Sequence, residues 1–86
     1  MAYRIEYSKA AERFIRRLDR EMQLRVLSRL EAIARAPRAM GAIKLSAADA
    51  FHARAVDYRA IYSVLEDTKV VLVAEIAHPR EHRVGV

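Results

Sequence analysis

With 86 residues, 53% of them hydrophobic and 31% charged, the chain can build one small domain with a modest core and is too apolar to be disordered. It has no cysteine, which excludes a disulfide framework and a thiolate metal site, and no apolar run near the ~20 residues of a membrane span. The net charge of +5 lies wholly in residues 1–38, where ten Lys/Arg stand against five acids, while residues 39–86 carry six of each; this asymmetry points to a polyanionic or acidic partner. Only 2 Gly and 2 Pro leave little room for linkers, so residues 1–86 are read as one domain. The opening Met-Ala-Tyr-Arg has no apolar run of the signal-peptide kind, and a cytoplasmic protein is expected.

Tyr3, Ile5 and Tyr7 alternate with Arg4 and Glu6 and predict a first strand. Ser8 can cap a helix whose positive end suits Glu12, with Ala11, Phe14, Ile15 and Leu18 as its core stripe. Arg13, Arg16, Arg17 and Arg20 follow the same period on the other side. That stripe reads as a solvated helix face, or as a surface contacting an RNA backbone or an acidic partner. Asp19 can cap a second helix with an apolar stripe of Met22, Val26, Leu27, Leu30, Ile33 and Ala34, which Pro37 ends; Leu24 falls off the stripe and should be exposed. Two helices joined so tightly make an αα-hairpin able to cover one face of a sheet.

Residues 38–50 read as a loop with a short extended piece at Ile43-Lys44-Leu45. Strands are expected at about 50–56 and 57–65, then a turn at Glu66-Asp67-Thr68 and a doubly apolar, β-branched strand over Lys69 to Ala77, as a central strand should be. The layout β-α-α-β-β-β is that of an α+β domain, a helical hairpin on a small, mainly antiparallel sheet.

The stretch from Phe51 to Tyr62 organises the rest. Phe51, Ala53 and Ala55 fall on one side and His52 and Arg54 on the other. If the chain reverses at Val56-Asp57, Arg54 lies opposite Arg59, and two like charges directly opposed destabilise a sheet unless an anion sits between them. Such a pair invites a phosphate. Val56-Asp57 is poor chemistry for a tight turn, which favours Gly or Asn, so the pairing depends on how the chain turns there. Tyr58 and Tyr62 alternate with Arg59 toward the Phe51 side and are read as core.

At this point the chain resembles the RelE/ParE toxin superfamily, closer to its RelE-like ribonuclease branch. Met-Ala-Tyr-Arg-Ile-Glu-Tyr-Ser is similar to the family's opening strand and helix cap, and Lys44-Leu45 to its Lys-Leu before the second strand. The stretch Phe51 to Tyr62 resembles aromatic-Arg-x-Arg-Val-Gly-Asp-Tyr-Arg-x-x-Tyr, and Ile76-Ala77-His78-Pro79-Arg80-Glu81 resembles Ile-Gly-His-Arg-Arg-Glu. The resemblance implies the toxin of a type II toxin–antitoxin pair with a cognate antitoxin protein as partner. RelE-like members cut mRNA in the ribosomal A site; ParE-like members inhibit DNA gyrase. A degenerate toxin that only binds its antitoxin is a third reading.

Metal-free RNA cleavage needs a base for the 2′-OH, positive charge on the phosphate and an acid for the leaving 5′-oxygen. The resemblance assigns Arg59 as phosphate clamp and Arg54 as a second basic position, against an Arg59 merely paired with Asp57 or Glu75. His52 stands where the family has Arg or Lys and can titrate near neutral pH, unless it is a plain surface residue. Lys44 would add charge near the site, or be a solvated loop lysine. In the tail Arg80 matches a family Arg, Pro79 replaces another, and Arg83 falls where many active members carry a catalytic Tyr. Without that Tyr, the acid or base would be His78, His82 or neither, and Arg83 would contact RNA. His78 and His82 lie four apart, but Pro79 and the lack of a third ligand argue against a metal, and no cofactor is expected.

Overall fold

A computed structural model describes residues 3–38, 42–45 and 50–78. The elements run β1 (Arg4–Tyr7), α1 (Lys9–Arg16), α2 (Arg20–Arg35), β2 (Ile43–Lys44), β3 (Ala50–Ala55), β4 (Tyr58–Leu65) and β5 (Val70–Ala77). They form a five-stranded sheet of order β1-β5-β4-β3-β2 in which only β1 and β5 are parallel. The α+β hairpin-on-sheet architecture is therefore as the sequence led us to expect, with the short piece at Ile43 adding a two-residue edge strand. Among the described residues no helix is long and apolar enough to cross a membrane.

Both helices start where a side chain can satisfy their free amides. Ser8 Oγ accepts from the Ala11 N–H at 3.1 Å and Asp19 Oδ1 from the Met22 N–H at 2.8 Å. The apolar stripes supply Ala11 and Ile15 from α1 and Val26, Leu30, Ile33 and Ala34 from α2. Across from them the sheet presents Phe51, Ala53, Ala55, Ala60, Tyr62, Val64, Val71, Val73 and Ile76, all buried. Leu24 lies outside this core, 56% exposed.

Tyr62 is the largest fully buried side chain. Its ring stacks on Phe51 at 5.7 Å between centroids, and its hydroxyl donates to the Pro37 carbonyl at 2.6 Å. A strand of the sheet thus holds the point at which α2 has ended.

β5 departs from simple alternation. Ile61 is registered with Glu75 but Tyr62 with Val73, which leaves Ala74 as an extra residue on β5. This bulge resets the phase of the strand: Val71 and Val73 enter the core before it and Ile76 after it. Without it the alternation would turn Glu75 inward, since a one-residue slip flips every later side chain. Ser8 secures the bulge, donating from Oγ to the Ala74 carbonyl at 2.6 Å and from its N–H to Val73 O at 2.9 Å.

Glu66 ties three segments together in the β4–β5 turn. Its Oε2 accepts from Tyr3 Oη at 2.6 Å and Arg38 Nη1 at 2.7 Å, and its Oε1 from Lys69 Nζ at 3.0 Å. Hydrogen bonds from Tyr3, Lys69 and Arg38 hold its carboxyl at about 2, against an ordinary 4.5. The same contact raises Lys69 above 10.5, so its share is present below that value and lost only in alkali. The lowered Glu66 contributes stability present above 4.5 and lost as pH falls through about 2. Acid titrations followed by circular dichroism should therefore show a loss of stability between these values that is shallower in Glu66→Gln; parallel curves would rule the network out as its source.

Candidate functional site

The helices cover one face of the sheet, and among the described residues the other face carries no helix. Residues paired in register point to the same face. The open face therefore holds His52 and Arg54 of β3, Arg59 and Ile61 of β4, and Glu75 and Ala77 of β5. Arg54 is registered directly with Arg59, as the hairpin reading required, and His52 and Ile61 form the next rung. Opposed side chains of such a pair start roughly 4.5–5.5 Å apart at Cβ. Successive residues on this face are separated by about 7 Å along the strand.

The turn that makes the pairing possible is unusual. Ala55 and Tyr58 close a two-residue loop in which Val56 has φ 60°. A β-branched residue in this region is a genuine outlier, whereas Gly adopts it freely. The sequence therefore reaches the hairpin in spite of its turn residues, because β3 and β4 bury Phe51, Ala53, Ala55, Ala60 and Tyr62 beneath α2. Val56→Gly should relieve the strain and stabilise the fold by about 1 kcal/mol, net of the partial packing lost, which is ~4–8 °C in Tm for a chain this size. An unchanged or lower Tm would show that Val56 packing outweighs the strain.

The two arginines are held differently. Arg54 is exposed and folds back on the turn, its Nε donating to Val56 O at 3.0 Å. Arg29 of α2 donates from Nε to the Arg54 carbonyl at 3.3 Å and so braces β3 from the helix layer. Arg59 is half-buried and, among the described residues, makes no ion pair with Asp57, Glu75 or any other acid. Among the described residues, two cations thus face each other on the sheet face away from the helices with no carboxylate between them.

The other sequence-predicted residues lie elsewhere. Lys44 is registered with Phe51, which puts it on the helix side of the edge strand, away from Arg54 and Arg59. His78 packs edge-on against Tyr58 at 5.0 Å and Phe14 at 6.4 Å, rings of the helix-covered side. Arg13, Arg16, Arg17 and Arg20 are exposed on the helix layer, across the sheet from Arg59. Arg80, His82 and Arg83 fall outside the described residues. The structure thus brings together His52, Arg54 and Arg59 and separates them from Lys44, His78 and the helical arginines. Among the described residues no group of three or more His, Asp or Glu gathers that could hold a metal. Sequence reasoning missed Arg29 and Glu66; both act through tertiary contacts that leave no local pattern.

The site can be set beside known proteins. The fold matches the Mycobacterium tuberculosis toxin–antitoxin complex RelBE2 with TM-score 0.79 at 21% identity, covering 91% of this chain and 92% of that one. It matches a doubly substituted Escherichia coli RelE toxin in the free state with TM-score 0.77 at 24% identity, over 99% and 92% of the two chains. It also matches the Pyrococcus horikoshii RelE–RelB complex with TM-score 0.73 at 24% identity, over 91% and 96%. A sequence comparison with curated proteins gives no significant match. The family model of the ParE toxin of type II toxin–antitoxin systems matches residues 5–83. With nearly its whole length so matched and its fold shared with RelE, the chain belongs to the ParE toxin family, within the RelE/ParE superfamily of type II toxins.

Proposed function

We propose that this toxin is a ribosome-dependent, metal-independent mRNA endonuclease that arrests translation in the cytoplasm and is neutralised by a cognate antitoxin. The observation that carries the reading is the Arg54–Arg59 pair on the open sheet face, with no carboxylate partner among the described residues. Opposed like charges cost stability, and a bridging phosphate turns that cost into binding. In this reading Arg59 clamps the scissile phosphate through two of its oxygens and stabilises charge as the 2′-oxygen attacks. Arg54 releases Val56 O to take the same anion, and His52, one rung away, accepts the 2′-OH proton. Attack would leave a cyclic phosphate and a 5′-oxygen that must be protonated; Arg80, His82 and Arg83 of the tail are the residues proposed to hold the leaving strand and supply that proton. His78, packed on Tyr58 and Phe14, serves the reading less well. The basic helix layer would contact RNA backbone at a second place, since one strand lying on Arg59 does not reach it.

A second reading, stoichiometric inhibition of DNA gyrase, is favoured by the match of the family model to ParE toxins. The two separate in cells within minutes of inducing the toxin without antitoxin. Prompt loss of protein synthesis, with mRNA cut inside codons, is the expected outcome. Intact translation with impaired supercoiling would move the protein to gyrase. Neither effect would mark a folded but inactive toxin.

A further inference from the structure

One carboxylate on the open face has no part in the arginine clamp. Glu75 is exposed and is registered with Ile61 of β4, so it shares a rung with Ile61 and His52. Arg59 and Ala77 form a rung nearer the β3–β4 turn. Glu75 is thus the diagonal neighbour of Arg59, on the far side of β4 from Arg54 and roughly 7–8 Å from Arg59 at the backbone. No ion pair joins the two, and among the described residues Glu75 makes none with any other cation. The bulge at Ala74 brings Glu75 here, turning it out of the core, and Ser8 secures that bulge through Val73 and Ala74. Bulges beside functional sites re-aim a side chain in this way. A carboxylate so placed opposes a phosphate on Arg59, which weakens the clamp. What it offers is two acceptor oxygens and no donor.

The neighbours of Glu75 determine which group would meet it. His52 lies on the β3 side of Ile61 and Glu75 on the β5 side. In the proposed cleavage, the 2′-OH that His52 deprotonates belongs to the nucleotide before the scissile phosphate. That nucleotide therefore lies toward β3, and the one after the phosphate, which leaves, lies toward β5. Between them half-buried Ile61 gives an apolar floor for the face of a base. A single-stranded base also exposes its Watson–Crick edge. On that edge guanine carries two N–H donors side by side, N1–H and the 2-amino group, which match the two oxygens of a carboxylate. Adenine and cytosine set an acceptor nitrogen beside their amino group, and uracil flanks its N–H with carbonyls, so each turns a lone pair on the carboxylate. A cationic protein partner would suit Glu75 but not Arg54 and Arg59 one rung away. We propose that Glu75 determines specificity by accepting both hydrogen bonds from a guanine that follows the scissile phosphate. The proposal rests on the endonuclease reading and names the base that the same site selects.

The test uses the full chain and purified ribosomes programmed with mRNAs that differ only in the nucleotide after the cut: guanosine, inosine, adenosine, cytidine or uridine. The unaltered toxin should cut before guanine roughly 5–150-fold more efficiently, in kcat/KM, than before uracil, the discrimination of one good bidentate pair. Inosine, which keeps N1–H and lacks the 2-amino group, should fall between them. Glu75→Ala should erase these ratios while cleavage persists, and Glu75→Gln should shrink them. Loss of a negative charge beside the clamp would by itself raise cleavage before every base alike, so the ratio and not the rate reads the base contact. Glu12→Ala, which removes an exposed carboxylate from α1 on the other side of the sheet, should leave the ratios as they are. Circular dichroism checks that the variants fold. Ratios in Glu75→Ala equal to those of the unaltered toxin, or no preference for guanine over uracil in that toxin, overturn the role of Glu75 and leave the endonuclease standing. Cleavage of none of these mRNAs by the folded, unaltered toxin overturns the endonuclease reading itself, and the role of Glu75 with it.

Discussion

Arg59→Ala is expected to abolish growth arrest and to reduce mRNA cleavage by about 10²–10³-fold, the usual loss when one preorganised charge is taken from a transition state. The reason is geometric. Arg59 is half-buried on the open face and makes no ion pair among the described residues, so its guanidinium has no carboxylate there to give up when an anion arrives. Arg54 must instead leave the carbonyl of Val56, and Arg54→Ala should cost less. Arg59→Lys keeps the charge but loses the two-pronged geometry and should fall between. The same substitution has an opposite effect on the fold: Arg59→Ala removes a like-charge opposition and should leave stability unchanged or raise it by roughly 0.2–1 kcal/mol. Primer extension on cellular mRNA and urea unfolding of the purified variant read the two effects separately. Full toxicity of Arg59→Ala would show that the site lies elsewhere. A loss of toxicity that tracks a loss of stability would make Arg59 merely structural.

The largest effect on stability is expected at Tyr62. Tyr62→Ala empties the centre of the core and should cost about 3–5 kcal/mol. A chain of this size is stable by only ~4–13 kcal/mol, so the variant should be partly unfolded at 37 °C. Tyr62→Phe keeps the stack on Phe51 and removes only the hydroxyl, which leaves the carbonyl of buried Pro37 without its 2.6 Å donor. Its cost should be about 1–3 kcal/mol, the desolvation penalty of a buried acceptor with no partner. Chemical denaturation with both variants separates packing from hydrogen bonding. A Tyr62→Phe protein indistinguishable from the parent would mean that Pro37 finds another donor.

Relief of the Val56 turn bears on both results. The hairpin that opposes Arg54 and Arg59 is bent through a strained residue, and the opposed charges add their own repulsion. Strain and repulsion at one place are thus sustained by the well-packed core beneath it. Val56→Gly with raised stability and unaltered toxicity would show that the strain is incidental; lowered toxicity would tie it to the aim of the arginines.

Much was legible in the chain because it is written in local chemistry. Ser8 and Asp19 announced the two helices, since a cap acts within three residues. The periods of Ala11-Ile15 and Val26-Leu30-Ile33 told which helix faces are buried, and Leu24 was recognisable as standing outside them. Alternation from Phe51 to Arg54 placed His52 and Arg54 on one face and led to the opposition of Arg54 and Arg59. What the tertiary structure alone decided depends on partners far away in the chain. The bulge at Ala74, which keeps Glu75 out of the core, is set by pairing with β4 and by Ser8, 66 residues away. Lys44, adjacent to the motif on paper, is turned to the other side by a two-residue pairing that only the edge of the sheet defines. Val56 adopts φ 60° against its own preference because the burial of two strands outweighs one turn. The hydrogen bonds of Glu66 to Tyr3 and Arg38, and of Tyr62 to Pro37, join segments no periodicity connects. Local sequence determined the elements and their faces; long-range packing decided which charges on those faces meet.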